Sequence, residues 1–150
     1  MTDDVRDRTG GCYCGAVRFT ARDVPLTFGI CHCETCRRWT GSALLGVTVP
    51  EANVTWQGAD RIARRQSSSF AERGWCRDCG SPLFFRFTGN GAPVGGIELP
   101  IGLLDDTEGM FAHNEIFIDH KPAAFGFAEN DRQVLTRAEC AARFPLLDKG

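Results

Sequence analysis

Apolar and polar positions alternate with a period of two in several short stretches of this chain. Val17-Arg-Phe-Thr-Ala21 sets Val17, Phe19 and Ala21 on one side and Arg18 and Thr20 on the other, the pattern of a half-buried strand. Ser42–Pro50 (SALLGVTVP) and Asn53–Gln57 (NVTWQ) predict two more strands, separated by a turn near Pro50. Ser81–Phe87 is rich in aromatic residues and fits a buried strand, and Gly96–Leu104 and Glu115–Ile118 predict two others. Helical periodicity is scarce. A short helical turn is expected after Cys33, from Glu34 to Trp39. The clearest helix lies near the end, where Thr136-Arg-Ala-Glu139 matches a capping box and Ala138–Phe144 continues with good helix formers. Seventeen glycines fit many tight turns. The pattern predicts a mainly β domain with a short C-terminal helix, entered at Gly10-Gly11 after a flexible polar tail over residues 1–9. No internal repeat or low-complexity linker interrupts it.

Composition changes this picture little. A chain of 150 residues fits one domain with a real core. A hydrophobic share of 43% and a charged share of 24% are ordinary for a globular protein. The net charge of -2 gives no general attraction to nucleic acid or to an anionic membrane, so neither is expected as a partner. No run approaches the ~18–20 apolar residues of a membrane span. The first residues, Met1 to Arg8, are charged and lack the apolar stretch of a secretory leader. The expectation is a cytoplasmic protein, monomer or homodimer, with reduced thiols.

The eight cysteines then need a reason, and in a reducing compartment metal binding is that reason. Seven fall into three clusters: Cys12-Tyr-Cys14-Gly15, Cys31-His-Cys33-Glu-Thr-Cys36 and Cys76-Arg-Asp-Cys79-Gly80, with Cys140 alone. A Cys-x-x-Cys followed by glycine folds into a turn whose amides face both sulfurs, half of a tetrahedral zinc site. The third cluster fits this, and Cys12 with Cys14 supplies a second pair. Together they make a four-cysteine site that ties the start of the chain to its middle. Cys31, Cys33 and Cys36 can bind one metal by themselves and leave a fourth position open, the arrangement of a reactive zinc site. Other partitions stay open at this point. His32 or Cys140 could complete the middle site, and Cys76-x-x-Cys79 alone could be a redox pair.

At these residues the chain resembles the glutathione-dependent formaldehyde-activating enzyme family, which also contains centromere protein V. The resemblance rests on Gly11–Phe19, Cys31–Gly41 (CHCETCRRWTG), Arg73–Phe85 (RGWCRDCGSPLFF), Ile97–Asp105 and Glu115–Pro122. It covers residues 10–127, leaving 128–150 as a C-terminal extension that carries the helix. The resemblance implies a zinc-bound β-tent of small antiparallel sheets with two zinc ions per chain. One zinc would be structural, on Cys12, Cys14, Cys76 and Cys79. The other would be catalytic, on Cys31, Cys33 and Cys36. The implied activity is the formation of S-hydroxymethylglutathione from glutathione and formaldehyde, classed as a carbon–sulfur lyase in reverse, with a small thiol such as glutathione as partner. The chain departs from the family pattern at Glu115, where histidine is common, and at Ala123-Ala-Phe125 in place of a tryptophan region.

Further side chains divide between roles. Arg37 or Arg38 could hold a carboxylate of a peptide-like thiol. Glu115 could be a general base. Ser67-Ser-Ser69 reads as a solvated turn or a polar pocket edge, and Trp39, Trp75, Phe84 and Phe85 as packing around the metals. His113 and His120 read as loop histidines. A second functional class, a binding module with two structural zincs and no catalysis, is kept beside the enzyme.

Overall fold

The structure is a computed structural model that describes residues 4–89 and 91–149. Among the described residues the chain runs through β1 (Val5–Gly11), β2 (Arg18–Pro25), β3 (Thr27–Cys31), α1 (Glu34–Thr40), β4 (Leu44–Pro50) and β5 (Val54–Gln57). It continues through β6 (Ile62–Ser68), β7 (Ala71–Cys76), β8 (Pro82–Phe87), β9 (Gly96–Pro100), β10 (Phe111–Ile116), β11 (Gln133–Leu135) and α2 (Arg137–Arg143). A three-stranded sheet has the order β1–β2–β5, and an eight-stranded sheet the order β11–β10–β3–β4–β9–β8–β7–β6. The protein is mainly β, with small sheets and a short C-terminal helix. The strands pair antiparallel except β10, which runs parallel to both β3 and β11. No helix among the described residues is long and apolar enough to cross a membrane.

The core lies between the sheets. Val17 leads into β2, whose Phe19, Ala21 and Val24 face Val47 and Val49 of β4, Ile97 and Leu99 of β9 and Phe84 of β8. An edge-to-face contact of Phe19 with Trp56, centroids 5.3 Å apart, and Trp56 against Phe84 at 6.0 Å close the space between the layers. Gly74 of β7 stands directly opposite Phe84 and lets its ring lie flat on the backbone. The large sheet's other face carries a polar series. Asn114 lies beside Gly29, Gly29 pairs with Gly46, Thr48 with Glu98, Glu98 with Phe85, and Phe85 with Arg73. Cys31 shares this face with Gly29, two residues before it on β3.

The polar tail expected over residues 1–9 is corrected from Val5 onward. These residues form most of β1, paired to β2. Hydrogen bonds order a segment that has little apolar surface. The buried Arg8 donates from Nη1 to the Asp106 carbonyl at 2.7 Å and from Nη2 to the Glu108 carbonyl at 2.8 Å. Thr9 Oγ1 donates to Asp105 Oδ2 at 2.6 Å. Residues 1–3 of that tail lie outside the described residues. The strand expected over Gly96–Leu104 stops at Pro100 and gives way to a 3-10 turn over Ile101–Leu103. At α2 the capping box forms in both directions, Glu139 N–H to Thr136 Oγ1 at 3.3 Å and Thr136 N–H to Glu139 Oε2 at 3.0 Å.

Two expected outcomes follow from this packing. A Cβ built on Gly74 would lie 2.2 Å from Phe84 Cε2, and that ring has no room to retreat. Gly74→Ala should therefore cost about 1–3 kcal/mol in urea unfolding; an unchanged midpoint would show that the ring moves freely. The second outcome concerns Asp105, whose carboxylate is held down to about 2, first by the Arg18 guanidinium and then by the Thr9 hydroxyl. Its folded value is below its unfolded one of about 3.9, so it stabilises above about pH 4 and the contribution disappears as pH falls toward 2. Asp105→Asn should flatten the fall of Tm in that window, and parallel curves for the two proteins would count against it.

Candidate metal centres and the polar face

Two turns and two strand ends build the first thiol cluster. Cys12 and Cys14 follow β1 in a turn closed by the Gly15 N–H on the Cys12 carbonyl at 3.2 Å, with Gly15 at φ 81. Cys76 ends β7, and the following turn repeats the device, with the Gly80 N–H on the Cys76 carbonyl at 2.8 Å and Gly80 at φ 81. These left-handed positions are what the two glycines supply. The sulfurs of Cys12, Cys14, Cys76 and Cys79 all lie within 4.8 Å of one another, with Cys12 to Cys14 at 3.6 Å and Cys14 to Cys76 at 3.8 Å. Four sulfurs at zinc's bond length of ~2.3 Å span tetrahedral edges of about 3.8 Å, so this donor set fits such an ion. Polar neighbours favour the thiolate at Cys12 and Cys79, while at Cys14, against a backbone hydrogen bond near Ala16, burial and the neighbouring sulfurs push the thiol up to about 12. The Val17 N–H donates to Cys12 Sγ at 3.3 Å, and the Ser81 hydroxyl first among several groups holds the Cys79 thiol down to about 6.

The second cluster is assembled by one strand end and one short helix. Cys31 ends β3, Cys33 caps α1 by accepting the Cys36 N–H at 3.4 Å, and Cys36 sits in the helix's first turn. Their three sulfurs also lie within 4.8 Å of one another, and among the described residues no fourth Cys, His, Asp or Glu donor joins the group. Hydrogen bonds from Cys31 and then Cys36 drive Cys33 down to about 2, while the same contacts push Cys31 well up. Three thiols this close share their protons, and a cation entering among them would release the remainder.

The residues around this second cluster are now placed. The His32 ring is fully buried and points away from the sulfurs, with Nε2 2.6 Å from Glu115 Oε2. Arg132 donates from Nε to the other Glu115 oxygen at 3.0 Å, with Nη2 in ion-pair contact with the same oxygen at 3.0 Å. The Glu115 carboxylate is thereby fully engaged. Burial opposes its charge, but His32 and Arg132 outweigh it and hold Glu115 below its usual value. Cys140 packs with Phe117 and Leu135 against the flank of Cys31 and Cys33 without joining the thiol group. The C-terminal extension is therefore a wall of this site. Arg37, with Nε buried and unpartnered, lines a cavity of about 240 Å³ with Arg38, Ser42, Pro122 and Phe125. Arg38 itself is exposed and pairs with Glu34 at 3.0 Å. Ser67 and Ser68 hydrogen-bond within the β6–β7 turn, Ser67 Oγ donating to the Ala71 carbonyl and Ser68 Oγ accepting the Phe70 N–H, both at 3.3 Å.

Sequence reasoning assigned no role to two residues on the polar face of the large sheet. Arg73 opens the stretch Arg73–Phe85 but was overshadowed there by its cysteines. In the structure its buried guanidinium lies between the rings of Trp39, at 4.7 Å, and Phe85, at 4.9 Å. It donates from Nη2 to Thr35 Oγ1 at 3.3 Å and reaches Cys36 Sγ at 3.8 Å. Trp39 and Phe85 thus sandwich a cation in addition to packing. Glu98 appears in the sequence only as one charged position between Ile97 and Leu99. Its carboxyl lies across Gly46, where a Cβ would meet Oε1 at 2.4 Å. Burial pushes its carboxyl up to about 7, against the pull of Arg73.

This fold and this pair of thiol clusters define a class of small cysteine-rich β proteins with two metal-competent centres. The family model described as "Glutathione-dependent formaldehyde-activating enzyme" matches residues 7–120, and the chain belongs to that family. It is 30% identical over 119 residues to a Schizosaccharomyces pombe protein named Uncharacterized lyase C29B12.13, which covers 79% of this chain and 84% of that one. The fold also resembles the crystal structure of a Rhodobacter sphaeroides protein, with a TM-score of 0.51 and 23% identity over 65% of this chain and 87% of the other. At that identity the likeness speaks to fold alone.

The four-thiol cluster joins the end of β1 to the end of β7, so its loss should be felt globally. Cys79→Ser is expected to lower stability by about 4 kcal/mol or more in denaturant unfolding of metal-loaded protein. A variant as stable as wild type would mean that this cluster holds nothing together.

Proposed function

We propose that this protein is a lyase-type enzyme that makes or breaks the carbon–sulfur bond between a small thiol and an aldehyde, with glutathione and formaldehyde as the first pair to test. The observation that carries the reading is the inequality of the two clusters, four sulfurs in one and three in the other, the smaller one including Cys31 on the polar side of the large sheet. Family membership and the lyase name of the fission-yeast relative support the reaction class. Zinc is the ion we assign to both, because both donor sets are all-thiolate and their sulfur spacing suits it. When held by Cys31, Cys33 and Cys36, zinc would act as a Lewis acid that favours the thiolate form of an incoming thiol.

The chain's own residues do the rest. Cys33 as helix cap and Cys36 in the first turn fix two sulfurs on one rigid element, and Cys31 brings the third from the sheet. The His32–Glu115–Arg132 chain locks the backbone between Cys31 and Cys33, together with the His32 N–H on the Ile116 carbonyl at 3.1 Å. Arg37, at the last turn of α1, offers its guanidinium to a carboxylate of a peptide-like thiol. The domain we take to do this work is residues 10–127, with 128–150 closing one side, and we expect it in the cytoplasm without nucleic-acid or membrane partners.

The test is Cys36→Ser with metal analysis and a thiol–aldehyde turnover assay. The variant should stay folded, hold one zinc instead of two, and lose activity by at least a hundredfold. Wild type should lose its second zinc to a chelator while its circular dichroism persists. If Cys36→Ser unfolds the chain as Cys79→Ser does, or both metals leave together with the fold, the protein is a binding module with two structural zincs.

A further inference from the structure

Arg73 is a charged side chain in a place where charge is costly. It is 6% exposed, and its guanidinium carbon lies over the rings of both Trp39 and Phe85. Nη2 is spent on Thr35 Oγ1 and Cys36 Sγ. Nη1 is buried and has no hydrogen-bond partner among the described residues. A buried donor left without an acceptor is unfavourable, the more so when it is charged. A fixed, unsatisfied cationic donor therefore stands one guanidinium's width from a sulfur of the open cluster. Glu98 belongs to the same face, one strand beyond Phe85, and its side chain makes no hydrogen bond among the described residues. The missing Cβ of Gly46 is what lets its carboxyl lie there.

We infer that Arg73 is the oxygen-binding residue of this site, Nη1 donating to the oxygen on the aldehyde-derived carbon, and that Glu98 carries the proton of the reaction. This rests on the thiol–aldehyde reading above. In the bond-forming direction the thiol's S–H proton passes to the Glu98 carboxylate. The sulfur lone pair forms the new C–S bond, and the C=O π pair moves onto oxygen, where the Arg73 guanidinium balances the developing negative charge. The proton returns from the Glu98 carboxyl to that oxygen and leaves a hydroxyl. One proton is borrowed and returned, and nothing is oxidised or reduced. Cleavage runs the same steps backward.

Formate, an oxygen anion of the aldehyde's size, is the binding probe. Its binding to the zinc-loaded protein is read by line broadening of 13C-formate, independently of turnover. Wild type should bind formate, and Arg73→Gln should bind it at least tenfold more weakly with both zincs in place. Undiminished binding by Arg73→Gln overturns the assignment. Should Arg73→Gln fail to fold, Arg73→Lys keeps the charge while losing the second fixed N–H, and serves in the same assay. In turnover, Arg73→Lys and Glu98→Gln should each lower kcat on the order of a hundredfold, with KM for the thiol and the metal content little changed. Full kcat in both, or activity lost only in proportion to zinc, overturns the inference by reducing Arg73 to a neutralising charge. The two levels fail separately. A wild type that loses formate binding with Arg73→Gln yet turns over no thiol–aldehyde pair removes the proposed function and keeps the oxygen site. An active wild type with indifferent Arg73 variants does the reverse.

Discussion

Bringing the sulfurs of Cys12, Cys14, Cys76 and Cys79 within 4.8 Å of one another is the constraint on which the rest of this molecule depends. Thiolates at that separation repel, and neutral thiols gain little from meeting, so the arrangement makes sense as a socket for a cation. Its mechanical consequence is plain from the topology. Cys12 and Cys14 leave the small sheet and Cys76 ends a strand of the large one, so the cluster pins the two layers at the edge of their shared core. With that edge fixed, β7, β8 and β9 present one face to the core and the other to the second thiol group.

The second group gains its character from where the fold puts it. It lies between a short helix and the sheet, not in a turn whose glycines and amides wrap the sulfurs. Cys31 is part of the sheet while Cys33 and Cys36 ride on α1, and the potential fourth donors have been drawn elsewhere. His32 is held by Glu115, Glu115 by Arg132, and Cys140 is packed against Phe117. What remains beside the sulfurs is a face of unusual polarity for a sheet this well buried, with paired glycines under Asn114 and Glu98 and a guanidinium clamped between two rings.

The sequence made some of this legible and hid the rest for physical reasons. Strands with one dry face announced themselves through alternation, as at Val17–Ala21 and in the run through Leu44–Pro50. The capping box at Thr136 named its helix because both of its hydrogen bonds are local. β1, β6 and β11 stayed silent because they are polar or short and are ordered by pairing, not by an apolar side. Parallel pairing of β10 with β3 and β11 has no local signature either, since it joins segments far apart in the chain. The cysteines could be grouped by spacing because ligand geometry is short-ranged. Arg73 and Glu98 could not be singled out, because what makes them unusual is burial beside partners contributed by α1 and β4, which only the folded chain brings to them.

The central claim is that two metal ions share seven cysteine sulfurs unequally. X-ray absorption at the zinc edge of freshly purified, reduced protein tests it most directly. The account predicts two zincs per chain, seven protein sulfurs in total over the pair, and a lighter, exchangeable donor whose contribution is replaced by sulfur when a small thiol is added. A single zinc per chain, or a full set of four protein donors around each ion that an added thiol leaves unchanged, would contradict it.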